Sequence, residues 1–180
     1  MTARGGSVVR AKAESPEVRY ATDPIVLVDA ADVARLKQEA GENPRRRIRL
    51  CAHHAVDDRL HEMFIVHTRD TYVRPHKHLD KSESFHVIEG DVDVVLFDDG
   101  GRVTDVIAMG PFSSGRPFFY RVASPLFHTL LIRSDVLVFH ETTTGPFRRA
   151  DTVFAPWAPE DGNPAAVGRF LADLEARLRR

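Results

Sequence analysis

Pro75-His76-Lys77-His78-Leu79-Asp80-Lys81-Ser82-Glu83, followed by Gly90, is the stretch on which the reading of this chain turns. In a strand, residues two apart project from the same face, so His76 and His78 aim both imidazoles at one point. Leu79 to Ser82 then let the chain reverse and bring the Glu83 carboxylate back to that point. Gly90 suits a tight turn at the end of the Glu83 strand. A further donor has to come from another part of the chain, and His128 is the candidate. It follows Ser124-Pro125, opens an apolar strand, and shares parity with Leu130 and Ile132. An inward imidazole among aliphatic side chains is costly unless its ring nitrogens find partners, and a metal ion supplies one. Three imidazoles and one carboxylate suit Zn, Fe, Ni, Mn or Cu. The expected cofactor is therefore one divalent transition metal on His76, His78, Glu83 and His128.

Outward from this stretch the hydrophobic period is two. Strand-like runs cover Met63 to His67, Thr71 to His76, Ser84 to Ile88, Asp91 to Phe97, Val103 to Met109, Phe118 to Val122, His128 to Arg133 and Val136 to Glu141. Turn signals separate them, among them Glu89-Gly90, Asp98-Asp99-Gly100-Gly101 and Gly110-Pro111. Many short strands at close spacing argue for an antiparallel sandwich or barrel. Upstream, Ile48 and Leu50 share one strand face, and Arg47, Arg49, Cys51 and His53 share the other. If the second face lines the interior, Arg47 and Arg49 can grip a phosphate or carboxylate, and His53 can act as a general base. Tyr72 and Arg74 share parity with the two histidines, so Tyr72 is expected as a proton donor and Arg74 as a substrate contact.

The ends of the chain are read differently. Residues 1–18 are expected to form a flexible tail, since Met1 to about Ser15 is polar and rich in Gly, Arg and Ala. Residues 19–44 are an extension in which Ile25 to Val28 form an edge strand and Asp29 caps a helix stopped by Gly41. Residues 45–160 make the barrel. Residues 161–180 form an amphipathic helix, capped by Asn163-Pro164, whose Val167, Phe170, Leu171, Leu174 and Leu178 pack on the barrel's outside. The edge strand offers a route to a homodimer.

Bulk composition narrows the function classes. The chain of 180 residues carries 25 Lys and Arg against 26 Asp and Glu, so nothing pulls it toward nucleic acid or anionic lipid. No run approaches the roughly 20 apolar residues of a membrane helix. No apolar signal-peptide core is present near Met1, and one cysteine, Cys51, excludes an internal disulfide. The expected setting is the cytoplasm.

The pattern His76-x-His78-x4-Glu83-x6-Gly90 resembles the first cupin motif, and His128 matches the histidine of the second. The wider chain, from about Asn43 to Pro159, is similar to the WbuC family of cupin-fold metalloproteins. The matching features are Pro44-Arg45-Arg46-Arg47 leading to Cys51-x-His53, Tyr72-Val73-Arg74-Pro75-His76-Lys77-His78, and Glu83 through Gly90. Further along they are Phe97-Asp98-Asp99-Gly100, Phe127-His128-Thr129, Glu141-x3-Gly145-Pro146-Phe147 and Phe154-Ala155-Pro156-Trp157-Ala158-Pro159-Glu160. The resemblance implies a single-domain, mostly β cupin jelly-roll barrel with one helix near each end of the chain. It also implies a setting in surface polysaccharide synthesis. The expected activity is metal-dependent isomerisation or epimerisation of an activated sugar, phosphorylated or nucleotide-linked. The alternatives are an Fe(II)-dependent dioxygenase and a non-catalytic module that binds a sugar or small anion.

Overall fold

The computed structural model describes residues 9–179. The first eight positions of the expected tail lie outside that range. Within it, the rest of the tail is a hairpin: β1 (Ala11–Ser15) pairs antiparallel with β2 (Val18–Ala21). Ile25 to Val28, expected as an edge strand, has no strand conformation and is a connector into the first helix, so the dimer route built on it falls away. Val26 and Val28 are instead packed on the cluster beneath that helix.

Helix α1 (Ala30–Glu42) starts where the sequence places it. The Asp29 carboxylate accepts hydrogen bonds from the amides of Ala31 and Asp32, and Asp32 accepts one back from the Asp29 amide, a reciprocal capping box. The helix runs through Gly41 and ends at Asn43, whose amide donates to the Glu39 carbonyl. Asn43 also donates from its side chain to the carbonyls of Pro16 and Arg47, which stops the helix without a left-handed glycine.

Ten further strands follow: β3 (Arg47–Cys51), β4 (Leu60–Thr68), β5 (His76–His78), β6 (Glu83–Glu89), β7 (Val92–Phe97), β8 (Val103–Met109), β9 (Phe119–Val122), β10 (Phe127–Ile132), β11 (Val136–Thr144) and β12 (Thr152–Phe154). They build a seven-stranded sheet, β1-β2-β3-β4-β11-β6-β9, and a five-stranded sheet, β12-β5-β10-β7-β8. Among the described residues only β2 and β3 pair in parallel. The chain passes repeatedly from one sheet to the other, the winding of a cupin-type jelly roll. Gly90 makes one such crossing at φ +88°, and a Cβ there would lie 2.1 Å from the Val136 carbonyl oxygen. Only glycine fits that turn.

Alternation along each strand sorts the side chains into layers. Met63, Ile65, Phe85, Val87, Val92, Val94, Leu130, Leu137 and Phe139 fill the space between the sheets. Ile48, Leu50, Val66 and Val138 face outward under Leu36 and Ala40 of α1. Helix α2 (Pro164–Leu178) covers the outer face of the five-stranded sheet, with Leu174 fully buried and Phe170, Leu171 and Leu178 beside it against Val95, Phe97 and Leu131. Thr71 to Pro75 is not a strand, contrary to the alternation. It crosses between the sheets, and its carbonyls at Val73 and Pro75 are taken by the Thr129 hydroxyl and the Ala155 amide. No helix among the described residues is long and apolar enough to cross a membrane.

Candidate metal centre

β5 is only three residues long, and its neighbours hold it. His76 stands directly across from His128 of β10, while β12 places Thr152 opposite His78 and Phe154 opposite His76. Opposed residues in an antiparallel pair have Cβ atoms about 4.5–5.5 Å apart, close enough for two imidazoles to share one partner. The rings of His76 lie 4.6 Å from His128 and 5.0 Å from His78, centroid to centroid. One nitrogen from each of His76, His78 and His128 falls within 4.8 Å of the others. Glu83 arrives from the opposite sheet. Its two carboxylate oxygens lie 3.0 Å from His78 Nε2 and 2.9 Å from His128 Nε2.

The other ring nitrogens are committed. Nδ1 of His76 lies 2.8 Å from the Arg74 carbonyl and Nδ1 of His128 lies 2.9 Å from the Leu126 carbonyl. Nδ1 of His78 lies 3.2 Å from the Thr152 hydroxyl. A carbonyl can only accept, so the Nδ1 atoms of His76 and His128 carry a proton, which leaves Nε2 as the atom each ring turns to the common centre; His128 Nε2 also carries a proton there, given to the Glu83 carboxylate, which a metal ion would displace. This is the support that orients an imidazole for a metal. The three imidazoles therefore fit a divalent transition ion, with the Nδ1 atoms of His76 and His128 held by backbone carbonyls and the Glu83 carboxylate beside His78 and His128 as a further oxygen donor within reach.

The charges agree with that geometry. Burial pushes His76 down to about 3, helped by the nearby His128, so this ring is neutral. Burial works to raise Glu83, but hydrogen bonds from His128 and His78 outweigh it and hold the carboxyl far below its usual range. Burial likewise works to lower His128, and the Glu83 carboxylate more than reverses it. An imidazolium–carboxylate pair thus balances charge at the centre, and a cation replaces those protons.

Two further polar groups enter the interior beside Glu83. β11 turns Glu141 inward and His140 outward, where His140 packs on Phe64. Cross-strand register sets Glu141, Phe85 and Tyr120 in one row, next to the row that contains Glu83. Burial, reinforced by the Glu83 charge, pushes the Glu141 carboxyl up to about 8. Tyr120 is raised to about 12 by burial, and its hydroxyl is buried without a hydrogen-bond partner among the described residues.

The remaining expected site residues lie elsewhere. The Tyr72 hydroxyl donates to the Pro159 carbonyl at 3.0 Å, and its ring packs on Phe170 of α2, so Tyr72 is no pocket-wall proton donor. Alternation misplaces it because Thr71 to Pro75 is not extended in a ladder. The Arg74 guanidinium stacks over Phe154 at 4.9 Å, with Glu160 at 3.7 Å, and only its carbonyl serves the centre. Arg47 does face inward but pairs with Glu17 at 3.0 Å. Arg49, exposed at the interior margin near Glu141, makes no ion pair among the described residues. His53 stacks on His61 at 4.1 Å with its Nδ1 held against the Glu62 backbone. Among the described residues no contact joins it to the three metal-facing imidazoles.

Sequence reasoning passed over Glu141 and Tyr120. For Glu141 alternation gave half the signal: either it or His140 faces inward, and the core positions of Leu137 and Phe139, which share its parity, decide for Glu141. Tyr120 had the weaker signal of sitting one residue from the exposed Phe119 in a short run.

A cleft of about 370 Å³ reaches the centre's edge at His78 and is bounded further by Leu79, Asp80, Lys81, Ser82, Ala123, Pro125 and Thr144. Lys81 fixes one wall. Its ammonium donates to the carbonyls of Thr144 (2.9 Å) and Pro146 (2.7 Å) and lies 3.6 Å from Asp151.

Comparison with known proteins adds the following. A family described as a domain of unknown function, DUF6016, matches residues 28–109, which hold His76, His78 and Glu83 but not His128. No curated protein matches the chain. Among solved structures, protein SO0799 from Shewanella oneidensis superposes with a TM-score of 0.52 at 10% identity, over 71% of this chain and 85% of that one. An oxalate oxidase bound to the substrate analogue glycolate gives 0.47 at 11% identity, over 63% of this chain and 57% of the other. Oxalate decarboxylase from Bacillus subtilis gives 0.46 at 16% identity, over 60% of this chain and 27% of that chain. At 10% identity the likeness to SO0799 is one of fold alone.

Proposed function

We propose that this protein is a metal-dependent cupin enzyme that isomerises or epimerises a small activated sugar. The observation that carries the reading is the convergence of three imidazoles within 4.8 Å, with Glu83 reaching two of them from the opposite sheet. His76, His78, His128 and Glu83 would hold the ion. A divalent ion there supplies a Lewis-acidic centre for a substrate carbonyl or hydroxyl. Glu141 takes the proton-moving role first expected of Tyr72, since it faces the interior in the row beside Glu83 with its carboxyl raised toward neutrality. Tyr120 donates its unpartnered hydroxyl to a substrate oxygen. The aliphatic and aromatic side chains around these groups exclude water from the proton transfer.

The finer parts of this reading rest on the sequence resemblance. They are membership of the WbuC family and a place in surface polysaccharide synthesis. The test has two stages. Elemental analysis of the purified protein is expected to find about one transition-metal ion per chain, with His128→Ala and Glu83→Gln losing it and the outward-facing His86→Ala keeping it. Proton NMR in D2O then follows exchange at the carbon positions of sugar phosphates. Protein that never takes up a metal overturns the proposal. Metal-loaded protein that consumes oxygen with such compounds, and moves no proton, favours the iron dioxygenase instead.

A further inference from the structure

Of the three arginines expected to grip an anion, the structure leaves one free. Arg47 is paired with Glu17 at 3.0 Å, and Arg74 is stacked over Phe154. Arg49 is exposed and makes no ion pair or side-chain hydrogen bond among the described residues. Register fixes which way it faces. Its cross-strand row continues through Ile65, Phe139 and Val87, all core between the sheets, so Arg49 stands on that interior face, at its open margin. The next row on the same face runs from Tyr20 through Cys51 and Met63 to Glu141. The row after that holds Glu83. The Arg49 charge is felt along this path. Burial raises Tyr20, Cys51 and Glu141 and Arg49 opposes it, while burial lowers His53 and Arg49 adds to it. Tyr20, Glu141, His76 and His78 each keep partial solvent exposure. Polar groups that solvent can reach thus run from Arg49 past Tyr20 and Glu141 to the metal-facing imidazoles.

We infer that Arg49 anchors the substrate, its guanidinium holding a phosphate or carboxylate at the interior margin while the reacting end of the same molecule lies at Glu141 and the metal centre. The inference rests on the metal reading and deepens it, because it assigns the end of the substrate that the metal does not take. A guanidinium with no protein partner keeps all its N–H donors for a ligand, and its fork matches two oxygens of one anion. Tyr20, beside Arg49, is a second donor to the same anion. Lys12, directly across from Tyr20 on β1, adds positive charge to that margin, and the Glu14 charge, felt at Tyr20, subtracts from it. Arg49 and Glu83 are three strands and two rows apart. At about 4.8 Å per strand and about 3.3 Å per residue, their backbones are roughly 20 Å apart. The side chains at the two ends close part of that distance. What is left suits a sugar that carries its phosphate away from the reacting carbon, and exceeds a two-carbon acid.

The test uses inorganic phosphate, and acetate in a parallel arm, titrated calorimetrically into the full chain. Zinc-loaded and metal-free protein are both titrated, which separates phosphate on the ion from phosphate on Arg49, and zinc content is measured on the same samples. Both forms are expected to bind phosphate in a way that depends on Arg49. Arg49→Gln weakens that binding about tenfold or more, the loss of a charge-assisted pair, with zinc content and thermal melting unchanged. Arg49→Lys restores part of it, Tyr20→Phe weakens it several-fold, and Glu14→Gln tightens it. Arg121→Gln serves as the control and leaves binding unchanged, since Arg121 stands across from Ser84 on the outer face of the sheet. Acetate binding with the same dependence on Arg49 extends the anchor to carboxylates. Phosphate binding that survives Arg49→Gln in both forms, or no binding of either anion, overturns the inference and leaves the metal centre standing. Failure to take up zinc overturns the reading beneath it and is seen separately, in the zinc content.

Discussion

At the scale of single residues, the interior stores several titratable groups in states they would not hold in water. His67 is the clearest outside the centre. Burial, with the Arg47 charge adding to it, pushes it down to about 3, and its Nδ1 has no hydrogen-bond partner among the described residues. In the unfolded chain a histidine titrates near about 6.5. Below that pH the unfolded state binds a proton that the folded state excludes. The stability His67 contributes is therefore complete above about pH 6.5 and lost progressively as the pH falls toward 3. Glu141 has the opposite sign. Its carboxyl is raised to about 8 from 4.5, so its contribution favours the fold below 4.5 and is lost as the pH rises through 8. The melting temperature of metal-free protein is expected to drop between pH 7 and pH 5. His67→Leu makes that drop shallower, and Glu141→Gln makes it steeper. Melting curves at three pH values decide both.

At the scale of elements, the two helices are held by different devices. The cap of α1 does double duty, because the Asp32 carboxylate also accepts from the Val9 amide at 3.0 Å and so ties the chain before β1 to the helix. Asp32 is 1% exposed. Asp32→Ala removes a cap and leaves a buried amide without a partner, an expected loss of about 1–3 kcal/mol in urea unfolding. For α2 the anchor is Leu174, fully buried against the five-stranded sheet. Leu174→Ala should cost about 2–5 kcal/mol through lost burial and the cavity left behind. Zinc content at native concentration should stay full in both variants, since neither residue touches the centre. The hairpin of β7 and β8 shows how closely a turn can be tied to a distant loop. Gly101 sits at φ +85° with the Trp157 ring where a Cβ would be, 2.8 Å away.

At the scale of the whole molecule, the candidate centre joins the two sheets. β5 and β10 supply His76, His78 and His128 from one, and β6 supplies Glu83 from the other. An ion bound there opposes separation of the layers, and it binds the folded state because the donors are far apart in an unfolded chain. Ligand at a hundred times its dissociation constant stabilises by about 2.7 kcal/mol. For a domain of this size that corresponds to a rise in melting temperature of roughly 5–10 °C. Removal of metal with a chelator is expected to reverse the rise in wild-type protein and to do nothing to His128→Ala.

Much of this was legible before any coordinates. The period-two runs, the turn at Gly90, the Asp98-to-Gly101 hairpin, the Asp29 cap and the apolar stripe of α2 are local signals, and each is set by interactions within a few residues. The metal donors could be read because strand alternation places His76 and His78 on one face, and because an inward His128 needs a partner. The reading failed where a segment's conformation depends on contacts distant in sequence. Thr71 to Pro75 alternates like a strand, yet it bridges two sheets, so parity put Tyr72 in the interior when its hydroxyl is bound to Pro159. Arg47 and Arg74 were assigned to a ligand because the partners that take them, Glu17 in the β1–β2 turn and Phe154 on β12, are remote in sequence. Alternation says that either Glu141 or His140 points inward and leaves the choice open. Only the packing of β11 between β4 and β6 decides it, because the pleat of a strand is local whereas the face turned to the core is set by its neighbours.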